Sequence, residues 1–156
     1  MMPERKHLRR LDRHFVKVGP VFFITFCTHG RKRILANPAV AGLIRDALCD
    51  AAGLNGWAVG RFVVMPDHVH LLCWPTTDDA VGVSRFVGSL KQWLARRIAS
   101  LGYARPVWQR EFFDRLLRDG ESFADKWAYV VENPVRAGLV ERAADWPYQG
   151  EICDPW

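Results

Sequence analysis

Two histidines, His68 and His70, are separated by a single valine in the apolar stretch VVMPDHVHLLCW, residues 63–74. Successive side chains of a β-strand point to opposite faces, so the two imidazoles would share one face, about 6 to 7 Å apart along the strand. Three interpretations are open. The pair is a hydrogen-bonded structural feature, a zinc site that needs a third protein ligand, or a divalent metal site with oxygen ligands that opens toward a phosphate substrate.

A second polar pair lies in the stretch SFADKWAYVVEN, residues 122–133, which predicts a helix that Pro134 ends. Tyr129 and Asn133 are four residues apart and therefore share a helix face. That face is distinct from the apolar stripe, which consists of Phe123, Trp127, Val130 and Val131. Taken singly, Tyr129 fits a half-buried aromatic residue and Asn133 an N-cap to the next turn. With the histidines they suggest a nucleophile, a metal ion and a phosphodiester, since a phenol is protonated at neutral pH and needs a metal-polarised phosphate.

The order of elements predicts how these residues are held. A strand is expected at 20–30, a helix at 37–53, and two strands at 57–65 and 68–74 that Pro66 and Asp67 join as a tight hairpin. A helix at 78–100, a short strand near Val107–Trp108 leading into irregular or helical structure, and the helix at 122–133 with a Ser122–Asp125 capping box complete the series. This order predicts one domain spanning 1–156, with an α+β fold of ferredoxin-like type. Helices would pack on a mainly antiparallel sheet.

The charge distribution favours a polyanionic partner. The net charge is +5, and residues 1–17, a basic N-terminal arm, hold six Lys or Arg residues against Glu4 and Asp12. Clustered basic residues are typical of nucleic-acid binding, although a solvated basic surface is the alternative. The candidates for phosphate contacts are Arg9, Arg10, Arg31, Lys32, Arg33, Lys91, Arg96 and Arg97. No apolar run has the length of a membrane span, and no signal peptide is recognisable, so the expected location is the cytoplasm.

Two segments resemble a known family. MPDHVHLL looks like the His-hydrophobic-His (HUH) motif of single-tyrosine DNA transposases. QREFFDRLLRDGESFADKWAYVVENPVRAGLV is similar to the C-terminal signature of the REP-associated tyrosine transposases, which are found near repeated extragenic palindromes. The resemblance runs from about Phe15 to Tyr148.

The resemblance implies a role for each candidate residue. His68 and His70 would bind a metal ion, Tyr129 would be the nucleophile, and Asn133 would complete the metal site, where related enzymes often have a glutamine. Mg²⁺ or Mn²⁺ is expected, because two imidazoles and one amide oxygen leave positions for water and phosphate oxygens. The family acts on single-stranded DNA near hairpins, leaving a 5′-phosphotyrosine and a free 3′-hydroxyl. No nucleotide cofactor is needed, and the sequence has no P-loop pattern.

Two rival functions remain open at the level of sequence. One is a non-catalytic protein that binds palindromic DNA with the same basic surface. The other is a metal-dependent phosphohydrolase that uses water in place of Tyr129. The sequence also leaves open whether the protein is a monomer or a homodimer.

Overall fold

The structure is a computed structural model that describes residues 20–117 and 120–153. The basic arm, with Arg9 and Arg10, lies outside these residues. The strands are β1 (Val21–Cys27), β2 (Trp57–Val64), β3 (His68–Pro75), β4 (Phe113–Leu117) and β5 (Gln149–Glu151). The helices are α1 (Pro38–Asn55), α2 (Val83–Ser100), α3 (Gly120–Val131) and α4 (Asn133–Arg136), with 3-10 turns at His29–Arg31 and Ala143–Asp145. None of the helices in the described part of the chain is long and apolar enough to cross a membrane.

The five strands form one antiparallel sheet in the order β4-β1-β3-β2-β5. Strands β1 to β4 and the two helices between them follow the β-α-β-β-α-β order of ferredoxin-like folds. β5 extends the sheet at the edge of β2. The predicted α+β class, with helices packed on an antiparallel sheet, is confirmed.

Local signals explain the boundaries that position β3. Asn37 caps α1, because its Oδ1 accepts a hydrogen bond from the Val40 N–H at 3.0 Å. The helix continues past Gly53, where it was predicted to end, and stops before Gly56, whose φ of 74° is a conformation that glycine adopts readily. The predicted hairpin turn at Pro66 and Asp67 is present, with the Met65 N–H donating to the His68 carbonyl at 2.8 Å. This turn makes His68 the first residue of β3.

The sheet has a core on each face. Helices α1 and α2 cover one face, where the sheet contributes Phe26, Phe62 and Leu71 among others. The opposite face contributes Phe23, Leu72 and Trp74 to a second core. Three residues of α3 complete this second core together with Trp146; they are Phe123, Trp127 and Val130. Because α3 packs on the second face, its non-apolar side can reach the β3 histidines, which belong to that same face.

Two sequence predictions after α2 are corrected. The short strand predicted near Val107–Trp108 is only an isolated bridge between Trp108 and Thr28, and the fourth strand lies at 113–117 instead. β4 escaped prediction because it is an edge strand with only Leu117 buried, so its sequence lacks apolar alternation.

The boundaries of α3 also differ from the prediction. The helix begins at Gly120, which puts the predicted capping residue Ser122 inside it. It ends at Val131, before Pro134 as predicted, but Pro134 then lies in the first turn of α4.

Candidate active site

An open cavity of about 420 Å³ lies between the sheet and the two C-terminal helices. Its lining residues are Phe23, Met65, His68 and His70 from the sheet side, and Lys126, Tyr129, Val130, Asn133, Arg136 and Ala137 from α3, α4 and the turn that follows. The fold therefore brings the four predicted site residues into one cavity, although the histidines and Tyr129 belong to separate elements.

The packing of α3 determines which side of the helix faces the cavity. Trp127 and Val130 are buried in the second core, as the apolar stripe predicts. Tyr129 lies off that stripe and is 61% exposed. The histidines lie at the N-terminal end of β3, while Leu72 and Trp74 are in the core beneath α3. The uncovered end of the sheet is thus the floor of the cavity, and the Tyr129 side of α3 is one of its walls.

His68 is oriented by a chain of charged groups. Its Nδ1 and the Oδ1 of Asp67 are 2.8 Å apart, and the Oδ2 of Asp67 accepts a hydrogen bond from the Arg31 Nε at 3.0 Å. Burial opposes ionisation of Asp67, but the hydrogen bonds from His68 and Arg31 outweigh it and lower the pKa of the carboxyl group. Burial also lowers the pKa of His68, against the opposing effect of Asp67. The imidazole is therefore neutral at pH 7, with its proton on Nδ1 facing the carboxylate.

His70 has a different, uncharged support. Its Nδ1 is hydrogen-bonded to the Oγ1 of Thr25 on the neighbouring strand at 2.8 Å. Its ring stacks on Phe23, with ring centres 5.3 Å apart and 21° between planes. Burial, followed by repulsion from His68 once that ring is protonated at low pH and from Lys126 and Arg136, lowers the pKa of His70 to about 3. This ring is also neutral at pH 7.

The two histidines do not by themselves provide the four protein donors of a structural zinc site. The Nδ1 atoms of both rings are engaged, so Nε2 is the nitrogen that each histidine has left for a ligand. The ring centres are 4.7 Å apart, close enough for both to contact one ion. Across 20–117 and 120–153, no group of three His, Cys, Asp or Glu residues could hold a metal. A two-histidine site of this kind leaves most coordination positions to oxygen ligands, as Mg²⁺ and Mn²⁺ prefer.

Arg136 links Tyr129 to Asn133. Its guanidinium carbon lies 3.9 Å from the centre of the Tyr129 ring, and its NH2 donates to the Tyr129 carbonyl at 2.7 Å. The same NH2 donates to the Oδ1 of Asn133. Asn133 is thus in the cavity as the sequence predicts, but one lone pair of its amide oxygen is occupied by Arg136, and only the second is left for a metal ion.

The described residues that were predicted to contact phosphate lie in two separate parts of the molecule. Arg31, Lys32 and Arg33 are exposed and follow β1, and Arg31 reaches Asp67 beside the cavity. Arg96 and Arg97 are exposed on α2, which covers the opposite face of the sheet. The first group therefore follows the strand next to the histidines, and the second group lies on the far side of the sheet from the cavity.

Lys91 is a structural residue, which corrects the prediction that it contacts phosphate. It is 8% exposed, and its ammonium group donates to the carbonyls of Gln109, Arg110 and Glu111 at 2.8, 3.3 and 3.1 Å. These three bonds use all the protons of the ammonium group. Burial lowers the pKa of Lys91, which is the expected effect on a desolvated cation. The residue stabilises the loop between α2 and β4.

Sequence reasoning missed four residues of the site. Asp67 directly precedes His68, and this adjacency could have predicted that its carboxylate orients the imidazole. From the sequence alone, Asp67 is interpreted only as a turn residue. Arg136 and Lys126 also had a signal, since they lie three residues after Asn133 and three before Tyr129 on neighbouring helical turns. Thr25 had none, because its contact with His70 depends on the register of β1 against β3.

Comparison with known proteins identifies the family of this chain. Residues 21–117 match the family model described as IS200-like transposase. The chain is similar to a Haemophilus influenzae protein named for the REP-associated tyrosine transposases (33% identical, covering 87% of this chain and 81% of the relative). It is also similar to the REP-associated tyrosine transposase of Escherichia coli K12 (26% identical, covering 87% and 78%). The chain therefore belongs to the IS200-like transposase family, whose tyrosine transposases nick and join DNA. The resemblance to REP-associated tyrosine transposases that the sequence predicts is confirmed.

A solved structure supports the fold. The structure of a REP-associated tyrosine transposase bound to a REP hairpin superposes with a TM-score of 0.71 at 23% identity. The match covers 88% of this chain and 79% of that one. At this identity the likeness speaks for the fold alone.

Proposed function

We propose that the protein cuts and rejoins single-stranded DNA beside a hairpin, with Tyr129 as nucleophile and a divalent metal ion on His68, His70 and Asn133. The observation that carries the proposal is the single cavity in which these four side chains meet. A phenol, two neutral imidazoles and a surrounding positive charge suit attack on a phosphodiester.

The chemical step is a transesterification. The Tyr129 oxygen forms a bond to phosphorus, the bond from phosphorus to the 3′ oxygen breaks, and the DNA is left as a 5′-phosphotyrosine and a 3′-hydroxyl. The phenolic proton leaves to solvent, and the departing 3′ oxygen takes one up, so protons balance. Rejoining is the same step in reverse, which is why no nucleotide cofactor is required.

The side chains around Tyr129 orient the reactants. Arg136 holds the ring from one face, and its guanidinium brings a positive charge to the place where a phosphate would enter. Lys126 adds a second positive charge and lies 4.8 Å from the centre of the Phe23 ring. The role of a bound Mg²⁺ or Mn²⁺ ion would be to polarise the phosphate oxygens. Asn133 is the weakest of the three proposed ligands, because Arg136 already occupies part of its oxygen.

The proposed substrate is hairpin DNA with a single-stranded flank, by analogy with the relative that was solved with a REP hairpin. Such a substrate would be in the cytoplasm. Arg31, Lys32 and Arg33 are the proposed phosphate contacts nearest the site, with Arg9 and Arg10 of the basic arm as further ones.

The decisive experiment uses the substitution Tyr129→Phe, with labelled hairpin DNA resolved on denaturing gels. The exposed ring is kept and only the attacking oxygen is lost, so folding and DNA binding should persist while cleavage and the covalent adduct vanish together. Tyr103→Phe and Tyr148→Phe are matched controls that should retain both activities. Chelation of metal should also stop cleavage by the wild type.

The rival functions give different results in this experiment. A water-using phosphohydrolase would keep cutting after Tyr129→Phe, and a non-catalytic DNA-binding protein would give neither product nor adduct in any variant. An adduct that maps to Tyr103 or Tyr148 would overturn the assignment of the nucleophile.

A further inference from the structure

The edge strand β4 exposes a large aromatic side chain. Phe113 is 68% exposed, more than any other large apolar side chain in the described part of the chain. Burying a phenyl ring is favourable, so a ring left in water on a sheet is a candidate contact for an apolar ligand surface. The ring has no role in either core or in the chemistry proposed above.

Strand register places Phe113 on the same sheet face as the cavity. Leu117 belongs to the core beneath α3, and alternation puts Phe113 and Arg115 on the same side as Leu117. Phe113 pairs with Thr25, and Thr25 pairs in turn with His70. The three side chains form one row across the sheet, so Phe113 lies two strand spacings, about 10 Å, from His70.

The next pair of residues along β4 and β1 places a positive charge on the same face of the sheet. Arg115 pairs with Phe23, which lines the cavity and stacks on His70. Arg115 is exposed, and no carboxylate of 20–117 or 120–153 is found within ion-pair distance of it. An exposed aromatic ring and an exposed guanidinium therefore lie on the strand next to Phe23, which lines the cavity together with Lys126 and Arg136. This pair matches the chemistry of a single nucleotide: a base with a π-face and a phosphate with a negative charge.

We propose that Phe113 and Arg115 form a stacking platform for single-stranded DNA, on which a base flanking the cut stacks on Phe113 while its phosphate contacts Arg115. The platform would lead the single strand across β4 and β1 into the cavity. Since every base has a π-face, the platform would hold the strand with little sequence preference. The inference rests on the proposed function for its substrate, but its test requires no cleavage.

The test measures equilibrium binding by fluorescence anisotropy, in chelator so that no cleavage occurs. One probe is a DNA hairpin with an oligothymidine extension at its foot, prepared with the extension on the 5′ or the 3′ side, and the other is the same hairpin without extension. Phe113→Ala should weaken binding of at least one extended hairpin by about five- to a hundred-fold, the range for one lost base–aromatic stack. Binding of the unextended hairpin should be unchanged. Phe113→Trp should restore the lost affinity.

Matched controls come from the same strand and the opposite layer. Leu116 is 41% exposed on the other face of β4, so Leu116→Ala should leave binding of both probes unchanged. Arg115→Gln should reduce the log–log salt slope for the extended hairpin by about 0.7, the value for one phosphate contact on a single strand. Arg85→Gln removes the same charge from α2, on the far side of the sheet, and should not change that slope.

Stacking itself is visible with 2-aminopurine in the extension. Wild-type protein should quench its fluorescence, and Phe113→Ala should not. The platform is overturned if the wild type binds extended and unextended hairpins equally, or if Phe113→Ala and Leu116→Ala have the same effect. It is also overturned if Phe113→Ala changes only the sedimentation of the protein, because the ring would then belong to an interface between copies. None of these outcomes depends on whether Tyr129 forms an adduct, so the two proposals can fail separately.

Discussion

The substitution Asp67→Ala tests whether the carboxylate that orients His68 raises the affinity of the protein for a metal ion. In Asp67→Ala the imidazole loses its Nδ1 partner at 2.8 Å, and both ring tautomers and ring orientations become accessible. The proton is then no longer confined to Nδ1, so the Nε2 lone pair is offered to a metal ion for only part of the time. The expected result is a weaker but not abolished affinity for Mn²⁺.

The size of the effect follows from the type of bond. A hydrogen bond to a charged group contributes about 1.5–3 kcal/mol, and about 1.4 kcal/mol is a factor of ten in affinity. The loss should therefore be about 10- to 100-fold, which is also the usual cost of removing such an outer partner of a ligating histidine. The bond between Thr25 and His70 joins two uncharged groups, so Thr25→Val should cost about two- to ten-fold.

The assay is titration of the DNA-free protein with Mn²⁺, with the free ion followed by electron paramagnetic resonance. The affinity for Mn²⁺ should decrease from wild type to Thr25→Val and then to Asp67→Ala. His68→Ala should show no measurable binding. Asp67→Asn keeps the shape and an acceptor oxygen but not the charge, and should lie between wild type and Asp67→Ala. The turn between β2 and β3 should keep its structure in each Asp67 variant. The Thr28 N–H donates to the backbone carbonyl of Asp67 at 2.9 Å and not to its side chain.

Two outcomes would refute this reasoning. Unchanged Mn²⁺ affinity in a folded Asp67→Ala protein would mean that the carboxylate does not support a metal ligand. Loss of binding as complete as in His68→Ala would mean that Asp67 is itself a ligand and not an orienting group. Thermal unfolding of each variant, measured without metal, separates both outcomes from a loss of fold.

Two further predictions concern stability. The unfolded chain takes up a proton on His70 near pH 6.5 but the folded, metal-free protein only near pH 3, so the free energy of unfolding should fall as pH decreases through this window by up to about 1.4 kcal/mol per pH unit. Urea titrations from pH 7 to 4 should show a shallower fall in His70→Gln, and an equal fall would contradict the assigned burial. Lys91→Met should lower the free energy of unfolding by about 2–4 kcal/mol, because three backbone carbonyls lose their donor. Weaker DNA binding without a loss of stability would instead support the phosphate role predicted from the sequence.

The elements that bury an apolar stripe or strand were predictable. α1 has an asparagine cap before Pro38 and regular apolar spacing, and β2 and β3 are apolar runs around a Pro-Asp turn, so each has a local signal for its type and its first residue. β4 lacks such a signal because an edge strand has little to bury. Its existence depends on the exposed hydrogen-bonding edge of β1, which is information from another part of the chain.

The same distinction applies to the site. His68 and His70 stand out because a two-residue period is legible in any strand, and Tyr129 with Asn133 because a four-residue spacing is legible in any helix. For basic residues the sequence shows only the charge. A cluster of them in the sequence does not distinguish a solvated guanidinium group from a buried ammonium group. Lys91 and Arg96 belong to one helix, yet burial makes the first a structural donor and leaves the second exposed.

The two pairs that the sequence reveals, His68 with His70 and Tyr129 with Asn133, form one site because α3 covers only part of the sheet. α3 lies on the second face with Trp127 and Val130 in the core, and its length leaves the end of the sheet with His68 and His70 open. Burial lowers the pKa of both imidazoles, while the opening still gives them access to a ligand. Full coverage would have produced a second apolar core with two desolvated histidines and no access, and no coverage would have left them solvated and free to take up protons near pH 6.5. The half-covered face is therefore the condition under which His68 and His70 of the strand share one accessible cavity with Tyr129 and Asn133.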